Sequence, residues 1–144
     1  MSACCWKRRI TINMNQEAEG TNMLELEMIP EKFSVCKVTD YSGIDIDQPF
    51  VFTGRTDEEK SLVCPTRLVP GNTESREDGW RAFRIPGTLD FSLVGILADI
   101  AGLLASSQIS IFAISTYNTD YILTKEKDYQ EAVKVLASSG FEIC

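Results

Sequence analysis

An α+β fold made of two related lobes is what this sequence predicts, and three observations carry the expectation. The C-terminal half orders its elements β-α-β-β-α-β. Residues 70–79, PGNTESREDG, are turn formers and charges with no apolar member, and they read as a linker. Residues 51–64, VFTGRTDEEKSLVC, repeat the pattern of residues 111–124, IFAISTYNTDYILT: apolar strand, threonine, polar turn with Asp, apolar strand. The expected organisation is a disordered leader over 1–22, an abbreviated N-terminal lobe over 23–69, the linker, and a complete lobe over 80–144.

Taken in order, Leu24, Leu26 and Met28 alternate with glutamates, as a half-buried strand should. Pro30 is expected to interrupt that strand, because proline cannot donate to a ladder. A second strand follows from Phe33 to Val38. The segment 39–49 carries Asp, Gly and Pro49 and reads as a loop or a short turn of helix. Phe50–Thr53 and Ser61–Cys64 are further strands, the latter closed by Pro65. After the linker, Trp80–Ile85 is a strand ended by Pro86-Gly87, and Asp90 stands at the N-cap position of a helix over 91–106. Ile109–Thr116 has apolar residues on both faces and is therefore expected to be a central strand, with Tyr121–Thr124 as its hairpin partner. Asp128 is placed to cap a helix over 129–139, which Gly140 stops. Phe141–Ile143 is a short last strand.

Composition narrows the chemistry. The chain has 144 residues, a formal net charge of −7 and no histidine. The acidic balance argues against a nucleic-acid or anionic-membrane surface, and no apolar run reaches the roughly 18 residues of a membrane span. Without histidine, Ser-His-Asp and Cys-His catalysis and most catalytic zinc sites are excluded. Five cysteines form no metal-ligand spacing, and Cys36 and Cys64 lie inside strand-like runs as small hydrophobes. No nucleophile–base pair, cofactor motif or metal site is visible, so an enzyme is not expected. A reducing, cytoplasmic setting fits the cysteine usage best.

Two features stand apart from core packing. The turn from Thr116 through Tyr117, Asn118 and Thr119 to Asp120 gathers hydroxyls, an amide and a carboxylate between apolar runs. On the helix at 91–106, Leu93, Leu97, Ile100 and Leu104 make a core stripe, while Ser92, Gly95, Asp99, Gly102 and Ser106 line another side. The small side admits two readings, a solvent face or a close approach by a ligand or another backbone. The turn also has a plain reading, since Asp often closes turns on backbone N–H groups and Thr is an ordinary β-former.

These residues resemble the ACT domain, the small ligand-binding module of amino-acid metabolism. The resemblance is closest to tandem-ACT proteins, among them the CASTOR-type cytosolic arginine sensors and small bacterial ACT proteins. It is carried by WRAFRIPGTLDFSLVGILADIAGLLASSQISIFAISTYNTDYILTKEKDY and by VFTGRTDEEKSLVCP. It implies two ferredoxin-like lobes, antiparallel sheets with helices on one face, and an amino-acid-sensing role without catalysis or cofactor.

Carried onto this sequence, the family's ligand contacts fall on Gly95 and Ile96 at the helix start, on Ser110 and Ile111 in the strand, and on Thr116, Tyr117, Asn118, Thr119 and Asp120 in the turn. A site between ACT repeats implies a homodimer here. The chemistry is coherent: Asp120 would take the ligand's ammonium, and N–H groups at the helix start its carboxylate. Ser92 and Leu93 stand where one repeat of the arginine sensors carries acidic residues, so a less basic amino acid is at least as plausible a ligand as arginine. The competing reading is a dimerisation or protein-interaction module with no small ligand.

Overall fold

The structure, a computed structural model, describes residues 24–86 and 95–144. The expected leader, Asp90, Ser92 and Leu93 lie outside the described residues. The chain divides into two compact units, one of Pro30–Ala82 and one combining the residues up to Ile29 with Phe83–Cys144.

In the Pro30–Ala82 unit, the elements are the greater part of β1 (Glu25–Val38), β2 (Phe52–Arg55), β3 (Lys60–Pro65), a 3-10 turn (Thr66–Leu68) and most of β4 (Thr73–Arg84). The strands lie in the order β2-β3-β1-β4. Phe33 to Lys37 of β1 run antiparallel to Ser61 to Pro65 of β3. Cys36, Val38, Ile44, Leu62 and Cys64 form its buried cluster. Both thiols are free, and burial pushes Cys64 up to about 12, so it is protonated and inert as a nucleophile.

The linker expectation is corrected here. Residues 73–79 are the first half of β4, a strand exposed at Glu74, Arg76, Glu77 and Asp78. Their charge reflects solvent exposure, not irregular backbone. The expected break at Pro30 is absent too, and β1 passes through it. Leu24, Leu26 and Met28 direct their ladder groups toward β7 (Glu142–Ile143), ending with Met28 N–H donating to the Cys144 carbonyl at 2.8 Å. Pro30 is the next residue with that orientation, one step past the last bond, so its missing N–H breaks nothing.

The other unit has the expected β-α-β-β-α-β series: the end of β4, α1 (Ile96–Ser106), β5 (Ile111–Ser115), β6 (Asp120–Lys125), α2 (Glu126–Ser138) and β7. Its strands lie in the order β7-β1-β4-β6-β5, with β7 parallel to the start of β1 and β5 antiparallel to β6, so β5 is an outer strand and not the central one expected from its apolar residues. Alternation puts Leu26, Phe83, Ile85 and Ile122 on one face. There they bury Ile100 and Leu104 of α1 and Tyr129, Ala132 and Leu136 of α2. The Phe83 and Tyr129 rings lie 4.7 Å apart at the centre of this layer.

Helix boundaries refine two expectations. Asp128 does not cap α2; the helix begins at Glu126 after Lys125, leaving Glu126 and Asp128 in the first turn, where their charge interacts favourably with the helix dipole. Gly95 is not a helix-interior glycine. It precedes α1 at φ 94°, a backbone that an L side chain rarely adopts. Gly102 makes no close approach, since a Cβ there would meet nothing within 4 Å.

Candidate functional site

The hairpin between β5 and β6 is closed by its own threonine. Thr116 N–H and Thr116 Oγ1 both donate to the Thr119 carbonyl at 2.9 Å, and Thr119 N–H donates back to Thr116 Oγ1 at 3.3 Å. The β2–β3 hairpin is built the same way: Thr56 N–H donates to the Glu59 carbonyl at 2.9 Å, and Thr56 Oγ1 accepts from the Glu58 and Glu59 N–H groups at 3.1 Å each. Register matches as well, with Phe52 opposite Val63 as Phe112 is opposite Leu123, and Arg55 opposite Lys60 as Ser115 is opposite Asp120. The repeat read in the sequence is thus a repeated hairpin. A cavity of about 330 Å³ lies beside the Thr56–Lys60 turn, lined chiefly by charged side chains.

Both turns carry polar side chains beyond those closure needs; those of the β2–β3 turn are the charged Asp57, Glu58 and Glu59, and those of the β5–β6 turn are mostly neutral. Tyr117 is 84% exposed and Asn118 is exposed, so neither is consumed by packing. Thr119 is buried, and its hydroxyl has no hydrogen-bond partner among the described residues. Ser115 Oγ donates to Asp120 Oδ1 at 2.6 Å, a charge-assisted bond that fixes the carboxylate. Asp120 is half-buried, and its second oxygen has no partner among the described residues. Asp120 is therefore held by Ser115 and not by the turn's backbone, which answers the turn-closing reading of this residue.

The remaining expected residues divide between two ends of the unit. Gly95 and Ile96 stand at the start of α1. Ser110 and Ile111 follow its end, where Ile109 N–H donates to the Leu104 carbonyl and Gln108 N–H to that of Ala105. An eleven-residue helix is about 16 Å long. Along β5, Ile111 and Ser115 are separated by about 13 Å at the usual strand rise. Ser110 is exposed and Ile111 half-buried against the core. Within one chain, Ser110 and Ile111 do not meet the turn.

Two residue groups escaped the sequence reading. Ser115 sits beside the turn with nothing in its type to mark it as the partner of Asp120. On the sheet face opposite the helices, Arg84 forms a two-point ion pair with Glu27, at 3.1 and 3.2 Å, and donates to the Tyr121 hydroxyl at 3.4 Å. Burial acts against the Arg84 charge, but its bonds to Glu27 and Tyr121 outweigh this and raise its pKa above the usual arginine range. This cluster joins three strands, so only the pairing order could have revealed it.

Residues 75–138 match the ACT domain family, and all nine expected site residues fall inside that stretch. That stretch resembles an ACT domain. Over 81 residues, 56% of its length, it is 43% identical to the cytosolic arginine sensor for mTORC1 subunit 1 of Homo sapiens. The match spans 24% of the sensor's own length, so the chain corresponds to about a quarter of that relative. Among solved structures, an Agobacterium tumefaciens protein superimposes with a TM-score of 0.74 at 25% identity, covering 85% of this chain and 92% of that one. The regulatory subunit of aspartate kinase from Thermus thermophilus gives 0.53 at 11% identity, over 81% and 97%. That likeness is one of fold, α+β and ferredoxin-like. Among the described residues, no group of acidic or cysteine side chains is arranged to hold a metal, and no helix is long and apolar enough to cross a membrane.

Proposed function

We propose that this chain is a non-enzymatic regulatory protein that binds a free amino acid, with two copies completing the site. One observation carries the reading: Asp120 is held half-buried by Ser115, and its second carboxylate oxygen has no partner among the described residues. An α-ammonium group is the ligand fragment that such an oxygen accepts best, as a charge-assisted bond. Leading N–H groups of a helix have no intrahelical acceptor, so those of α1 beside Gly95 suit the ligand's carboxylate. Tyr117, on the exposed tip, would cover an apolar side chain. The arginine sensor's name supports an amino acid as the ligand class, while Ser92 and Leu93 favour a less basic ligand than arginine. Signalling would act in trans, through a surface whose state follows occupancy, in the cytosol.

Thermal denaturation in the presence of each of the twenty amino acids tests this. A ligand at about 100 times its dissociation constant adds roughly 2.7 kcal/mol to stability. One or a few amino acids should raise Tm, and Asp120→Ala should abolish the shift while folding normally. Failure of all twenty would sink the reading and favour the protein-interaction alternative. The cleft of about 490 Å³ beside α1, lined by Gly102, Leu103, Ser106 and Phe141, would then be the surface to probe.

A further inference from the structure

We propose that Cys144 forms a reversible disulfide with Cys4 or Cys5, a redox-controlled tie that holds β7 and the end of α2 in place. The inference does not depend on the amino-acid reading.

Elimination identifies the partner. The sequence has five cysteines, at positions 4, 5, 36, 64 and 144. Cys144 is disulfide-bonded, whereas Cys36 and Cys64 are free and buried. Cys4 and Cys5, both outside the described residues, are what the chain has left to complete the bond. Reach is no obstacle, since the chain from Cys5 to Leu24 spans about 60 Å when extended. That stretch ends beside Cys144, whose N–H donates to the Leu26 carbonyl at 3.0 Å.

The position of the bond gives it leverage. β7 has two residues. Glu142 N–H donates to the Leu24 carbonyl at 2.9 Å, and Met28 N–H to that of Cys144 at 2.8 Å. A strand so short at the edge of a sheet opens locally unless something else ties it down. Phe141 and Ile143 pack against the helix core, and Phe141 N–H closes the end of α2 on the Leu136 carbonyl. Phe141 also lines the cleft beside α1. A bond at Cys144 therefore secures a strand, a helix end and one wall of a cleft together. It closes a loop of nearly the whole chain, and in the chain-entropy account long loops gain most from a cross-link.

The cysteine set suits a switch better than a permanent staple. Three cysteines share one bond, so either Cys4 or Cys5 keeps a thiol next to it. Disulfides open by thiolate attack on a sulfur, and an adjacent thiol shortens that path. Cys36 and Cys64 take no part, because burial raises both and keeps them protonated. Cys144 is half-buried and open to small reagents. The oxidant is a small-molecule disulfide such as oxidised glutathione. One protein thiolate attacks it and expels one small thiol, leaving a mixed disulfide. The second protein thiolate then displaces the other small thiol and closes the bond. Two protein thiols are oxidised, and one small disulfide is reduced to two thiols. In a reducing cytosol such bonds are transient and follow the redox state.

Peptide mapping without reductant tests the pairing, on the whole protein equilibrated across ratios of reduced to oxidised glutathione. Toward the oxidised end, the peptide bearing Cys4 and Cys5 should be linked to that bearing Cys144 within one chain. Alkylation in denaturant should then label three thiols, and all five after reduction. Hydrogen exchange at Met28, Glu142 and Cys144 should accelerate about tenfold on reduction, with the amides inside α1 unchanged. Cys144→Ser should abolish the linked peptide and the redox response, and so should Cys4→Ser combined with Cys5→Ser. Five labelled thiols under oxidised glutathione, Cys144 linked to Cys36 or Cys64, or a bond found only between two chains would overturn the pairing. A bond that excess reduced glutathione never opens, or exchange that ignores reduction, would overturn the switch.

Discussion

Thr116 and Thr56 do the same work in two hairpins, each closing a four-residue turn through its hydroxyl and N–H. A net hydrogen bond of this kind contributes about 0.5–1.5 kcal/mol. Thr116→Ala should therefore lower stability by about 1 kcal/mol in urea denaturation, and Thr116→Ser should restore most of it because the hydroxyl remains. Loss of stability in both variants would mean that the methyl group, not the hydroxyl, matters. Little of this was legible residue by residue, since threonine is common near any hairpin. It became legible only where residues 51–64 and 111–124 were set beside one another. Asp120 was recognisable as a candidate, but its partner Ser115 was not, because a serine at a strand end has many ordinary uses.

At the scale of elements, the two helices finish alike with different residues. In α2, Phe141 N–H donates to the Leu136 carbonyl at 3.1 Å and Gly140 N–H to that of Ala137 at 3.2 Å, with Gly140 at φ 98°. In α1, Ile109 N–H reaches the Leu104 carbonyl and Gln108 N–H that of Ala105, both at 2.9 Å, with Gln108 at φ 59°. Both are Schellman ends, which need one left-handed residue. Glycine takes that conformation without strain, whereas an L side chain is penalised there by roughly 1–2 kcal/mol. Gln108→Gly should thus stabilise the protein by about 0.5–1 kcal/mol, and Gly140→Ala should destabilise it by about 1 kcal/mol. The same sign for both in urea midpoints would contradict this. The end of α2 could be read from its glycine, while that of α1 gave no such signal. Charge was equally misleading in β4, where Glu74 to Asp78 looked like a connector. Exposed edge strands carry the charges that linkers carry, and only pairing tells them apart.

For the whole molecule, the β-α-β-β-α-β frame sets two polar corners at opposite ends of one edge strand. Hydrophobic periodicity and turn chemistry made the β-α-β-β-α-β frame readable, because its core stripe and its alternation are local patterns. The separation of Ser110 and Ile111 from Thr116 to Asp120 was already contained in the strand read over 109–116, at the usual rise per residue. The place of that strand at the edge of the sheet was not readable, because it depends on pairing between distant strands. The central claim is that these corners act as one site in the assembled protein. Backbone amide NMR, during titration with whichever amino acid raises Tm, measures this most directly. Resonances of Ser110 and Ile111 and those of Thr116 to Asp120 should move together, with a single saturation point. Movement in the turn alone, or at the two corners with different saturation points, would contradict a shared site.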